Sequence, residues 1–256
     1  MGNGTTHCVA VALPRAQVRA LLPRGLELGN QELTPRGTHP VIFQFHRFSE
    51  CQFSFPAFLR PMRFHEQTAG IPFTQVCGVN ARSHGSGPYY FMPRLYLDDS
   101  WVLLNGTFWW GFNKQLAPID VSEDRYTVRQ WTGQPLASLA WSAEGNGHPR
   151  PVAECREFAP FREILNQTLV TLLPAGAGPL PALTDFDRRW NFTSVRPLHS
   201  VLEIGPSYMP GFEGGRFARG QAADACWSVL GSFEFSGPWW LSLPYSVSAK
   251  PWYTYS

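Results

Sequence analysis

Glycine and proline punctuate this chain at short intervals, and the apolar segments between them are correspondingly brief. The 256 residues include 23 Gly and 23 Pro, spread from end to end with no internal repeat. The apolar runs are Cys8–Leu13, Val41–Phe48, Arg94–Leu97, Trp101–Phe112, Leu198–Ile204 and Ser228–Phe235. Several alternate. In SVLGSFEF, Val229, Gly231, Phe233 and Phe235 share one face and Leu230, Ser232 and Glu234 the other, which is the period of a strand. Frequent short strands with Gly/Pro turns predict an antiparallel sheet system, a sandwich or a barrel.

Two segments read as helices. Pro14–Leu22 opens on proline, puts Val18, Leu21 and Leu22 on one side and stops at Pro23. Pro160–Leu173 repeats Phe161, Ile164, Leu165, Leu169 and Leu172 at helical spacing before Pro174. The stretch Ala175–Leu183 reads as a connection within one domain, because strand periodicity resumes after it. A single domain over residues 1–256 is therefore expected. Glu144–Pro151 reads as an exposed turn. Gly211–Gly220, which neither follows a clear strand nor opens a helix, reads as a hairpin or flap rather than a phosphate loop.

The composition excludes several function classes. Net charge is only +2 and the arginines are scattered, so no basic stripe for nucleic acid is present. No apolar run reaches the roughly 20 residues that span a bilayer. The start has no secretory pattern. MGNGTT fits the loose myristoylation pattern, but so short a match is read as chance. The five cysteines are odd in number and contain no Cys-x-x-Cys, which argues against a disulfide framework or thiolate zinc and for a reducing cytoplasm. The seven histidines show no metal-ligand spacing. No metal and no organic cofactor are expected.

One residue stands out chemically. Lys114 is one of two lysines, the other being Lys250, and it sits in WVLLNGTFWWGFNKQLAPI with no other charge between Asp99 and Asp120. Leu103–Gln115 reads as a strand from its aromatics. Lys114 would then share a face with Phe112, Trp110 and Phe108. An ammonium among rings loses hydration, which favours the neutral amine. A neutral lysine attacks carbonyl carbon and forms a Schiff base. A lysine that snorkels from a strand end or rests over Trp110 fits the same spacing.

GTFWWGFNKQLA, Gly106–Ala117, resembles the segment around the Schiff-base lysine of the acetoacetate decarboxylase family. Leu95–Asp99 (LYLDD), Arg63–Phe73 (RFHEQTAGIPF) and Cys8–Leu28 resemble further family segments in the same order, and Leu230–Ser246 resembles its closing strands weakly. The resemblance implies an α+β, mostly antiparallel fold with a barrel-like sheet core and a few flanking helices. It implies a homo-oligomeric, cytoplasmic enzyme acting on a small keto acid or ketone. Lys114 would form the imine, Glu66 would contact substrate or relay a proton, and Gln44 would stand at a further site position. From the residues themselves, Phe112 and Trp110 on the expected face of Lys114, and Arg94, are candidates to line the substrate site. Decarboxylation of an acetoacetate-like β-keto acid is the leading reaction. Aldol or dehydratase chemistry through the same imine is the alternative, as is a binding protein without chemistry.

Three positions depart from the family. Gln115 replaces the second lysine, Gln44 aligns with a second glutamate, and Gly4 falls where an arginine is expected to hold the substrate carboxylate. In acetoacetate decarboxylase the lysine is activated by desolvation or a neighbouring cation. With Gln115 here, desolvation would supply most of the effect. Arg60, Arg63 and Arg94 are candidate replacements for the carboxylate-holding arginine. His46 and His65 could reach the same pocket if their strands line it.

Overall fold

The computed structural model describes residues 2–52, 61–76, 87–144, 148–173, 182–218, 229–242 and 246–247. Strand β1 (Gly2–Pro14) leads into helix α1 (Arg15–Ala20). There follow β2 (Leu26–Leu28), β3 (Thr38–Cys51), β4 (Met62–Val76) and β5 (Tyr89–Leu97). Helix α2 (Ser100–Trp110) precedes β6 (Lys114–Leu116), β7 (Ile119–Val121), β8 (Arg125–Arg129), β9 (Pro135–Ala143) and β10 (Arg150–Pro151). Helix α3 (Ala159–Leu165) is followed by β11 (Leu169–Leu173), β12 (Ala182–Phe186), β13 (Arg188–Trp190) and β14 (Ser194–Ile204). The last strands are β15 (Gly215–Ala218), β16 (Val229–Leu241) and β17 (Ser246–Val247).

The centre of the sheet is the antiparallel run β16–β1–β3–β4–β5. Both β6 and β11 add to β5 in parallel, at opposite ends of it. Strand β13 pairs with the far end of β16. The first residues of β14, Ser194–Pro197, also pair with β16, whereas Leu198–Ile204 pair with β9 and so join the β7–β8–β9 meander to the rest. The sheet curls into a half-barrel flanked by the helices, as the family resemblance implies.

Strand periodicity divides the interior in two. On β3, Val41, Phe43 and Phe45 enter one apolar core with Ala69 and Ile71 of β4, Tyr126 and Tyr208. Ile42 and Phe48 face the opposite side, with Phe64, Phe112, Trp190 and Phe235. A strand sends successive side chains to opposite faces, so one sequence builds both.

Two expected elements are corrected. The run expected as a strand over Leu103–Gln115 is helical to Trp110. The Asp99 carboxylate accepts a 2.8 Å hydrogen bond from the Val102 N–H, a cap worth about 1 kcal/mol. Gly111 ends the helix in the left-handed conformation, φ 67°. Val102, Gly106 and Trp110, four residues apart, form its buried face. The helix expected over Pro160–Leu173 stops at Leu165, and Leu169–Leu173 is a strand paired with β12 and β5. The Asn166 side chain accepts from the Trp190 N–H at that break, 2.8 Å. The first helix falls within its expected bounds, with Pro14 as its N-cap. The expected hairpin at Gly211–Gly220 holds β15, paired with β14, over its described residues. Most of Ala175–Leu183 lies outside the described residues.

Candidate active site

Lys114 opens β6 beside Leu95 of β5, and Glu66 of β4 lies beside Leu97 of the same strand. Strand β5 thus sets the distance between two groups far apart in sequence. Lys114 Nζ donates to Glu66 Oε2 at 2.6 Å, and their side chains are 6% and 11% exposed. The Phe112 ring centroid lies 5.4 Å from Nζ. Gly106 of α2 gives the lysine its room. A Cβ there would stand 2.4 Å from Lys114 Cε and 2.9 Å from Nζ.

This corrects the expected surroundings of the amine. Phe108 is 65% exposed on the outer side of α2, because the segment is helical and not extended. Trp110 is buried, and its indole N–H donates to the Ser242 carbonyl at 2.9 Å. The nearest polar group to the amine is a carboxylate, not a ring. Gln115 is exposed, as a neighbour on the opposite side of a strand should be.

Lys114 and Glu66 line a cavity of about 560 Å³. Its wall includes Phe112, Trp110 and Gly106 on one side, and Phe48, Phe64, Met92, Trp190 and Trp239 on others. His46 also lines it, Nδ1 2.7 Å from Thr6 Oγ1 and the ring stacked on Phe48. Burial, together with the Arg188 and Lys114 charges, holds its imidazole well below the ordinary value, so it is neutral at pH 7. His65 pairs instead with Asp98, Nδ1 to Oδ2 2.7 Å, and is not part of the cavity wall. Cys51, also on the wall, is pushed up to about 12 by burial and stays a thiol.

The remaining predicted site residues are placed as follows. Gln44 lies fully buried behind the wall, its Oε1 3.5 Å from Thr68 Oγ1, 3.1 Å from the Tyr90 hydroxyl and 3.4 Å from Arg188 Nη1. Arg94 is buried away from the cavity, with Nη1 3.4 Å from Asn113 Oδ1. Arg63 is exposed, and Arg60 and Lys250 lie outside the described residues. Gly4 is packed under rings, and a Cβ there would meet Phe48 at 2.8 Å and Trp190 at 3.2 Å. An arginine has no space at that position.

Sequence reasoning missed Arg188. It is 5% exposed and lines the cavity. Its Nε donates to the Leu165 carbonyl, 3.1 Å, and its guanidinium carbon sits 4.6 Å from the Tyr90 ring centroid. No spacing rule separates it from the other arginines, and its surroundings in DFDRRWN, Asp185–Asn191, are as charged as those of a surface turn, so the sequence carried no signal for it. Among the described residues no group of His, Cys, Asp or Glu is arranged to hold a metal ion.

The site thus brings a buried lysine into contact with a glutamate on a curled antiparallel sheet. The pattern that defines the acetoacetate decarboxylase family matches residues 1–195. The chain belongs to the acetoacetate decarboxylase family. Its fold is shared with an acetoacetate decarboxylase from Legionella pneumophila, at 17% identity and TM-score 0.56, covering 95% of this chain and 86% of that one. An acetoacetate decarboxylase-like enzyme from Sphingomonas wittichii superposes with TM-score 0.58 at 15% identity, covering 95% and 90%. The enduracididine biosynthesis enzyme MppR, complexed with the condensation product of pyruvate and imidazole 4-carboxaldehyde, gives TM-score 0.54 at 15% identity, covering 96% and 89%. No curated protein sequence matches this chain. The family is one of lyase-type enzymes, and its members do not all run the same reaction. No helix among the described residues is long and apolar enough to cross a membrane.

Proposed function

We propose that this protein is a lysine-dependent lyase that forms an imine between Lys114 and the carbonyl of a keto acid, with decarboxylation of a β-keto acid as its reaction. The observation that carries the reading is the 2.6 Å contact between Lys114 Nζ and Glu66 Oε2 at the wall of a largely apolar cavity. An ammonium held by a carboxylate is not a nucleophile until its proton leaves. Glu66 is within direct reach of that proton, and so has the position of a general base.

The steps balance without a cofactor. Glu66 takes a proton from Nζ, and the amine lone pair attacks the carbonyl carbon. The resulting hydroxyl leaves as water with a proton returned from Glu66, giving the iminium. The electrons of the bond to the carboxylate then flow toward the iminium nitrogen, releasing CO₂ and leaving an enamine. A proton adds to the enamine carbon, and water hydrolyses the imine to free ketone and Lys114. Phe112 and Trp110 keep bulk water from the nitrogen, which strengthens each charge interaction at that point.

A second reading keeps the imine but not the loss of CO₂. The complex of MppR with the condensation product of pyruvate and imidazole 4-carboxaldehyde favours it. Borohydride reduction in the presence of keto acids, with mass spectrometry of the peptide containing residue 114, tests the shared step. The expected result is an adduct on Lys114 that disappears in Lys114→Ala. An adduct on Lys250 instead would overturn the assignment. CO₂ release separates the two reactions. Light scattering tests the oligomer implied by the family, the expected result being a mass that is a multiple of 28.8 kDa.

A further inference from the structure

The cavity is large for a four-carbon acid. At about 560 Å³ it falls within the roughly 300–1,000 Å³ of pockets that enclose drug-sized ligands. Away from Lys114 its surface is mostly apolar, with Phe48, Phe64, Met62, Met92, Trp190 and Trp239 alongside the polar His46, Gln52, Thr68 and Ser242. Phe48 lies 5.0 Å from Phe64 and 4.7 Å from Trp239, ring centroid to centroid, so these side chains form a continuous wall. The two methionines add flexible, polarisable surface that moulds to a substituent.

Within this largely apolar surround, two donors of one strand have no hydrogen-bond partner, and Trp239 Nε1 across the wall lacks one as well. Arg188 and Trp190 are two residues apart on β13, so both point to the same side of the strand. Arg188 Nη2 and Trp190 Nε1 are buried and make no hydrogen bond within the protein. Buried donors are rarely left so, and a site that keeps two of them on its wall fits a ligand that brings acceptors. The other arms of Arg188 are already held by Leu165, Gln44 and the Tyr90 ring. A carboxylate here meets a cation with one free arm. It is oriented without the full bidentate grip that would oppose its loss as CO₂.

Resting on the imine reading above, we propose that the substrate is a β-keto acid with an aryl or long alkyl substituent. Its carboxylate is received by Arg188 and its substituent by the Phe48–Phe64–Trp239 wall. Arg188 thereby takes the place that the packing around Gly4 denies to an arginine on β1.

Two measurements on the full chain test this. Benzoylacetate and acetoacetate are compared in borohydride trapping, and their affinities for the Lys114→Ala variant are compared by quenching of tryptophan fluorescence. Benzoylacetate is expected to bind and trap at least ten-fold better than acetoacetate. Arg188→Gln is expected to lower affinity for benzoylacetate roughly ten- to hundred-fold, the range of a charged hydrogen bond, and Arg188→Lys to recover part of it. Affinity for the neutral ketone benzoylacetone is expected to hold in both variants, which controls for folding. Equal treatment of the two acids overturns the substrate class, and an unchanged acid-to-ketone ratio in Arg188→Gln overturns the anchor. Tight binding of benzoylacetate with no adduct on any lysine sinks the imine reading and leaves the cavity assignment standing.

Discussion

At their centres the two faces of β3 and β4 differ in how they treat polar groups, although toward the ends of β3 His39 Nδ1 and Arg47 Nε, at the alternation of the core residues, also lack partners. On the core face the buried amide of Gln67 is satisfied at both ends. Its Oε1 accepts from the Tyr208 hydroxyl at 2.7 Å and its Nε2 donates to the Thr68 carbonyl at 3.0 Å. Around it Phe43, Phe45, Tyr126 and Ile71 leave no exposed surface. On the cavity face the same strands carry His46, Glu66 and Thr68, and Gln44 Nε2 and Arg188 Nη2 behind and beside them lack partners. One side spends its sequence on closing space and the other on holding space open. The close-packed core and the candidate site are thus separated by the thickness of a single sheet, and a one-residue register slip would exchange their side chains.

The largest effect expected from breaking this division is on the closed side. Phe43→Ala should cost about 3–5 kcal/mol in denaturant unfolding, the range for a large buried ring. Phe48→Ala borders space that is already open and should cost less. Equal losses would mean the cavity wall is as tightly packed as the core.

A second expectation concerns acid. Burial pushes His39 down to about 4, a hydrogen bond to the Pro72 carbonyl being the weaker opposing influence, and burial also holds His46 well below its ordinary value. The unfolded chain binds these protons near pH 6.5 and the folded one does not. Stability from this source is therefore complete above pH 6.5 and is lost as pH falls toward 4, by about 3 kcal/mol for His39. Unfolding free energy measured across that window should show the slope. His46→Phe should reduce it from the cavity side and His39→Phe from beside Phe73.

Gly106→Ala sharpens the contrast in the other direction. Its Cβ displaces the Lys114 side chain from Glu66, so trapping by borohydride should slow on the order of ten- to hundred-fold. Global stability should change by no more than about 1 kcal/mol, since alanine also favours a helix. The smallest effect is expected at an exposed site. Gln115→Lys, which restores the family's second lysine, should alter trapping by less than about two-fold and stability by less than about 0.5 kcal/mol. A large gain there would mean that the second cation acts through water after all.

What could be read from the sequence follows from what is local. Cys8–Leu13, Val41–Phe48, Leu198–Ile204 and Ser228–Phe235 are short apolar runs, several of them alternating, and each lies on a strand over its described residues. Trp101–Phe112 is apolar on nearly every side, so its composition carried no period. Its caps, Asp99 and Gly111, were the signal that could have shown a helix. Leu169–Leu173 continued the apolar spacing of the preceding helix and hid the break at Asn166. Lys114 was legible because it is one of two lysines. Glu66 was legible only through the family resemblance, and the contact between the two arises from β4, β5 and β6 lying side by side. Arg188 was not legible, since nothing short-range ties β13 to Lys114. Arg94, taken as a candidate to replace the carboxylate-holding arginine, lies away from the cavity, since nothing in the sequence orients it.

Strand β14 has a consequence for how the molecule opens. Its first four residues are zipped to β16, and its remaining seven to β9. A backbone shared in this way acts as a splice. Fraying the meander strains the very strand that closes the cavity-bearing sheet, so amide protons along Ser194–Ile204 should exchange with solvent as late as those of β3. The sheet that carries β16 and the β7–β9 meander should then come apart in one event.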